Sequence, residues 1–159
     1  MYNFAPEDYI CPLCLTLSGV ESDQTMARQA DIIYRDDLVM AMVNSKFITD
    51  HEGHVIIVPV THFENIFDIP DKYLRQISLV SKHLAKTLKE VYKCDGVMLQ
   101  QNNGPASGQH AFHYHLHIIP RYKDISFFDK SSYVADPQKR VPFAGKIKKY
   151  LKDNPFRPE

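Results

Sequence analysis

Histidine alternates with large apolar residues in His113-Tyr114-His115-Leu116-His117-Ile118-Ile119. A period of two is that of a β-strand with one buried face. Successive side chains on a strand point to opposite faces, so the imidazoles share one side while Tyr114, Leu116 and Ile118 take the other. The outer imidazoles then start roughly 13 Å apart. That spread suits a row of groups along an extended anionic substrate better than a full set of ligands on one metal, although two of them could share an ion. The plain alternative is a set of surface histidines without a task.

The remaining pattern predicts an α+β domain. Apolar residues at 32–35 and 39–43 flank Asp36-Asp37, as in a β-hairpin. Residues 54–58 form a nearly continuous apolar run, hence a strand buried on both faces. Pro70-Asp71 opens a helix to about residue 91, with Leu74, Ile77, Val80, Leu84, Leu88 and Val91 as its core stripe. Strands at 96–101 and 113–119 are separated by a loop rich in Gly, Pro and Ser. A polar stretch at 18–29 reads as loop or short helix. The region after 121 is loop-rich, with an amphipathic helix near 144–151. The expected architecture is one antiparallel sheet of about five strands with one long helix on one face. A single domain spans 1–159, with its core at about 32–121, a cysteine-bearing segment at 1–31 and a C-terminal extension at 122–159.

Composition narrows the partners. Nineteen Lys and Arg balance nineteen Asp and Glu, so the formal net charge is zero. A generic nucleic-acid or membrane surface would carry a basic excess, and neither partner is expected. No apolar stretch is long enough to span a bilayer, and the N-terminus carries no signal-peptide pattern. Only three cysteines are present, which argues against a disulfide framework and for the cytoplasm.

Candidate chemistry gathers around the alternating run. Imidazole is partly unprotonated near neutral pH and needs little activation to attack phosphorus. The run follows Asn102-Asn103-Gly104-Pro105-Ala106-Ser107-Gly108-Gln109, a loop of small residues able to approach a phosphate closely. Cys11 and Cys14 have the spacing of half a zinc site or of a buried, reduced pair. No strand leads into that motif and no helix clearly follows it, which disfavours thioredoxin-type redox chemistry.

Over residues 32–121 the chain resembles the histidine-triad (HIT) superfamily of nucleotide hydrolases and transferases, whose signature alternates histidine with hydrophobic residues in this way. Ala41-Met42-Val43-Asn44 resembles its ribose-contacting strand, and Gly53-His54-Val55-Ile56-Ile57-Val58-Pro59 the strand that follows. The order of elements looks nearest the dinucleoside polyphosphate hydrolase branch. The linker between Asn44 and His54 is longer than the family pattern.

The resemblance implies cleavage at the α-phosphate of a nucleotide conjugate through a nucleotidyl-histidine. The conjugate would be a dinucleoside polyphosphate, a phosphoramidate or another adenylylated small molecule. His115 would be the nucleophile, with its ring oriented by a carbonyl at the other nitrogen. His117 and Gln109 would face the non-bridging oxygens, Asn102 would donate near the scissile phosphate, and Ser107 and Gly108 would add backbone amides. The capping of the loop by Gln109 and Asn102 is the simpler alternative. Asn44 would bind ribose, Ile33, Met42 and Phe47 could flank the base, and His54 would support the triad.

His110 replaces a hydroxyl residue of the family pattern. It offers a titratable donor to the leaving group or else turns to solvent. Cys11, Cys14, His62 and the first triad histidine, His113, would hold a structural Zn2+ closed to solvent, as in some bacterial members. Mg2+ could accompany a polyphosphate substrate, and a homodimer across the long helix and an adjoining strand is implied. A non-catalytic nucleotide sensor is the alternative. A zinc-dependent hydrolase lacks a general-base carboxylate in the same strand.

Overall fold

The apolar runs form a five-stranded antiparallel sheet in the computed structural model, which describes residues 3–157. Its strands are β1 (Ile32–Arg35), β2 (Val39–Val43), β4 (Val55–Pro59), β5 (Gly96–Gln101) and β6 (Leu116–Arg121), in the order β1-β2-β4-β6-β5. β2 and β4 are central, and every residue in both is buried. This is what a continuous apolar run requires, because both faces of such strands are covered. Val39, Ala41, Val43, Val55 and Ile57 join the larger core on one face. Met40, Met42, Ile56 and Val58 face the N-terminal segment on the other.

The long helix α2 (Asp71–Tyr92) closes the larger core with Ile77, Val80, Leu84 and Leu88. Leu74 and Val91 pack at its margin, while Tyr73, Ser81 and Thr87 are buried beside them. The last two satisfy their hydroxyls on carbonyls of the same helix, Ser78 at 2.8 Å and His83 at 3.0 Å. Polar residues that serve themselves in this way can enter a core stripe.

Three features depart from the sequence expectation. A helix, α1 (Pro12–Leu17), does follow Cys11, whose sulfur caps it by accepting from the Cys14 amide. The long linker after Asn44 contains β3 (Lys46–Ile48), which pairs with β7 (Ser132–Val134) as a second, two-stranded sheet. The C-terminal helix, α3 (Pro137–Asp153), is longer than the expected 144–151 because Asp136 caps it through the Gln138 amide at 2.7 Å. Ala144 and Ile147 of α3 lie in the larger core.

A wholly buried ion pair fixes α3 to the N-terminal segment. Arg140 reaches both carboxylate oxygens of Asp31 and the carbonyls of Met26 and Ala135. Each buried charge is satisfied, so removing one partner alone would cost about 3–5 kcal/mol. Before β4, the chain turns through Gly53 at φ +76°, where a side chain would strike Phe143 and Tyr92. Only glycine takes that conformation without strain in so little room.

Candidate functional site

The triad segment is not one regular strand. β6 begins at Leu116, where it pairs with Ile57, and His117 pairs with Ile56. Upstream the chain leaves the ladder. The Tyr114 amide donates to the Phe63 carbonyl at 2.6 Å, and His113 Nε2 donates to the Pro59 carbonyl at 3.0 Å. His113 and His115 therefore sit on a bent approach to the strand, and the expected even spacing of three imidazoles gives way to two separate groupings. Tyr114 and Ile118 are buried on the helix side as expected, with Leu116 packed against them.

The first grouping is a row. His54 and His117 have ring centroids 5.5 Å apart, and His117 and His115 are 4.9 Å apart. His115 Nδ1 lies 2.7 Å from the His113 carbonyl. A carbonyl only accepts, so the proton of a neutral ring is held on Nδ1 and Nε2 keeps its lone pair. The orienting carbonyl lies two residues upstream rather than on a neighbouring strand. Burial holds His115 below the ordinary imidazole range, and the protonated form of His110 would lower it further. Burial also depresses His117 well below that range and His54 to about 4. The row is neutral at physiological pH.

His115 and His117 open into a cavity of about 350 Å³ whose apolar wall includes Leu13, Met42 and Ile56. Asn44 and His110 also line it. None of the described residues lining this cavity is Asp or Glu. Asn44 donates through its amide to His54 Nε2 at 2.6 Å and to the Lys46 carbonyl at 3.1 Å. Both its N–H bonds are thus engaged, and its side-chain oxygen is what it can offer a ligand. His110 is exposed at the cavity wall. Ile33 and Phe47 belong to the helix-side core, so Met42 is the one of the three proposed base neighbours that lines the cavity.

In the loop at 102–109, Gln109 and Asn102 take the simpler of the two expected arrangements, bracing the loop itself. Gln109 is 2% exposed, and its amide braces the loop. It accepts from the Gly104 amide at 2.7 Å and donates to the carbonyls of Glu64 at 2.6 Å and Ala111 at 3.2 Å. Asn102 spans the loop to the Gly108 carbonyl at 3.2 Å and accepts from Gln100 at 3.3 Å. The Ser107 and Gly108 amides donate to the carbonyls of Gly104 and Pro105 within a single helical turn, so they are not presented to a ligand. A turn this tight satisfies its own donors.

The second grouping is a metal-type cluster. Cys11, Cys14, His62 and His113 bring one ligand atom each within 4.8 Å of one another. His113 Nδ1 lies 3.4 Å from Cys11 Sγ and 3.5 Å from Cys14 Sγ, and His62 Nδ1 lies 3.3 Å from Cys14 Sγ. Edges of about 3.3–3.8 Å are those of a tetrahedron around Zn2+ with ordinary Zn–N and Zn–S bonds. The Pro59 carbonyl fixes the His113 tautomer, leaving Nδ1 free to ligate. Burial and the adjoining Cys11 push the Cys14 thiol up to about 12, so a thiolate there calls for a compensating cation. These residues fit zinc by donor type, spacing and second-sphere support. His62 is exposed, so the cluster meets solvent on one side rather than being closed.

An antiparallel sheet that presents an imidazole row into a cavity, beside a second His/Cys grouping, is the architecture of a histidine-triad domain. Residues 26–124 match the HIT domain family, and the chain belongs to that family. It is similar to the Protein hit of Bacillus subtilis, 34% identical over 90 residues, which are 57% of this chain and 61% of that protein. The match thus spans less than two thirds of that relative's length. A Saccharomyces cerevisiae protein named adenosine 5'-monophosphoramidase is 39% identical over 75 residues, 47% of this chain and 45% of its own. The fold also matches a Zn-bound histidine triad family protein from Mycobacterium smegmatis, with a TM-score of 0.75 at 24% identity, over 91% of this chain and 94% of that one. These likenesses establish the family without singling out the dinucleoside polyphosphate branch.

Proposed function

We propose that this protein cleaves nucleotide conjugates at the α-phosphate through a nucleotidyl-histidine on His115. The observation that carries the reading is the 2.7 Å contact of His115 Nδ1 with the His113 carbonyl, which keeps Nε2 as the lone-pair nitrogen beside His117 and the cavity. Nε2 attacks the α-phosphorus, the phosphorus bond to the leaving group breaks, and the leaving group departs with that electron pair and accepts a proton. Water then attacks the same phosphorus and loses a proton. The P–N bond breaks, and Nε2 recovers its lone pair with release of the nucleoside monophosphate.

His117 donates to the non-bridging oxygens, where charge is redistributed in the transition state. His113 positions His115 through its carbonyl and ligates metal through its ring. Asn44 accepts from ribose, and His54 supports Asn44. Gln109 and Asn102 set the loop's shape rather than touching phosphate. The Cys11, Cys14, His62 and His113 group holds a structural zinc ion that ties the triad segment to α1. The Mycobacterium smegmatis relative, described as Zn-bound, supports this assignment. The homologue named as a monophosphoramidase supports an adenylylated substrate.

The test is incubation with a panel of α-³²P-adenylylated compounds. AMP release with transient label on the wild-type protein, and neither with His115→Asn, is the expected result. Nucleotide binding without AMP from any compound would instead make the protein a sensor. Among the described residues no helix is long and apolar enough to cross a membrane.

A further inference from the structure

A buried ion pair adds little net stability over apolar residues of the same volume, so its worth lies in the geometry it fixes. Arg140 and Asp31 secure a strained turn. The Ala27 amide donates to the Thr25 carbonyl at 2.6 Å, two residues back, and Met26 between them has φ +53°. A γ-turn of that hand is rare, and a long side chain on a left-handed backbone adds to its cost. Thr25 and Arg28 satisfy the carbonyls of Ser22 and Ala27 within the segment. The Met26 carbonyl instead accepts from Arg140 Nη2 at 2.9 Å, across 114 positions. Asp31, bound by the same guanidinium, accepts from the Arg28 amide at 2.8 Å. The pair thus holds both peptide groups that follow Met26. Thr25 and Met26 line the cavity onto which His115 and His117 open.

We infer that Arg140, on a helix outside the family-matched residues 26–124, is a positioning residue for the nucleotide base and acts through Met26. The inference rests on the nucleotide reading proposed above. With Asn44 at the ribose, the base lies along the apolar wall that Met26 shares with Leu13, Met42 and Ile56. A thioether against a flat aromatic ring gains contact energy only when the two are closely placed. Met is flexible and does not place itself, so its backbone has to be fixed. Strain of this kind persists where the surrounding structure over-determines it, and it gathers at ligand sites. Arg140 supplies the constraint. Its planar fork reaches Asp31, Ala135 and Met26 together, a geometry that a lysine ammonium does not match.

The experiment measures affinity by calorimetry for two ligands, AMP and ribose 5-phosphate, which lacks the base. Met26→Ala should weaken AMP by about 5- to 10-fold, the upper range of a thioether–aromatic contact, and leave ribose 5-phosphate within about twofold. Arg140→Lys keeps a charge facing Asp31 but loses the fork, and should lower AMP affinity relative to ribose 5-phosphate in the same way. Met26→Ala added to Arg140→Lys should then cost less than about twofold more, because the two act as one unit. Should Arg140→Lys not fold, Asp31→Leu with Arg140→Met keeps a packed core without the tether and should show the same loss. If Met26→Ala leaves the ratio of the two affinities unchanged, or a folded tether variant does so despite a lowered Tm, Arg140 is a plain anchor for α3 and the inference is overturned. Full additivity of Met26→Ala and Arg140→Lys overturns it too, with nucleotide binding left standing. A wild type that binds neither ligand removes the nucleotide reading itself, and the inference with it.

Discussion

Five residues, His113 to His117, feed two sites of opposite character. On one side the His113 ring meets two sulfurs and His62. On the other, His115 and His117 meet each other, His54 and a cavity without lining carboxylates among the described residues. In the function proposed here, the same side chain serves as a ligand in the first setting and as a neutral nucleophile in the second. The difference lies in what each ring's second nitrogen touches and in what surrounds it. The Pro59 carbonyl holds the proton of His113 on Nε2, so Nδ1 meets the sulfurs. The His113 carbonyl holds the proton of His115 on Nδ1, so Nε2 faces the cavity side.

The sharpest way to separate the two sites is His115→Asn. It should reduce kcat by about 10⁴–10⁶, the cost of removing a nucleophile from an integrated site. Zinc content, measured by elemental analysis, should stay near one per chain, because His115 is not among the grouped ligands. Turnover within tenfold of wild type would end the assignment of His115. A loss of zinc in this variant would show that the two sites are not independent.

The complementary variant is Cys11→Ala. It should lower zinc content and remove about 3 kcal/mol of stability, since metal binding energy at such a site is folding energy. In a chain of this size that is roughly 10 °C in Tm. A metal-free wild-type protein with an unchanged melting curve would refute the zinc centre.

How legible these sites were in the sequence follows from their physics. Alternation revealed the triad because strand periodicity is local, and the apolar runs at 39–43 and 54–58 revealed the central strands for the same reason. The cysteine pair gave half a ligand set, and the family resemblance gave the other half. The sequence leaves Gln109 between phosphate and the loop itself, and its amide goes to partners at 104, 64 and 111, which only the folded loop brings together. Nothing in the local sequence pairs Arg140 with Asp31, yet they are fully buried partners 109 positions apart. Pairing of β3 with β7 was equally hidden, because three-residue strands carry too little pattern and their register spans most of the chain.

A third prediction concerns pH and stability. Burial lowers His54 from 6.5 to about 4, so the folded state binds fewer protons than the unfolded state between those values. Stability is full above the unfolded value and is lost as pH falls toward the folded one. At pH 5 the loss from His54 alone is about 2 kcal/mol. Protonation would also turn Nε2 into a donor facing the Asn44 amide at 2.6 Å, two donors with no acceptor between them. The difference in unfolding free energy between pH 7 and pH 5 should therefore shrink in His54→Asn relative to wild type. Equal pH dependence in both proteins would show that His54 is not the group that titrates.

The smallest effect expected is the most specific to this chain. His110 stands at the cavity wall, and its charged form lowers the proton affinity of His115. His115 must be neutral to attack, so activity falls as pH drops through its depressed value. In His110→Ser that electrostatic contribution is gone, His115 holds its proton more tightly, and the acid limb of the kcat profile should move to higher pH. If His110 also gives its proton to the leaving atom, His110→Ser should lower kcat as well, and more for an alkylamine leaving group than for ADP, because the poorer leaving group needs the proton more. A serine variant whose acid limb and kcat overlay the wild type, with both leaving groups, would place His110 outside the chemistry and leave His115 governed by burial and the His113 carbonyl.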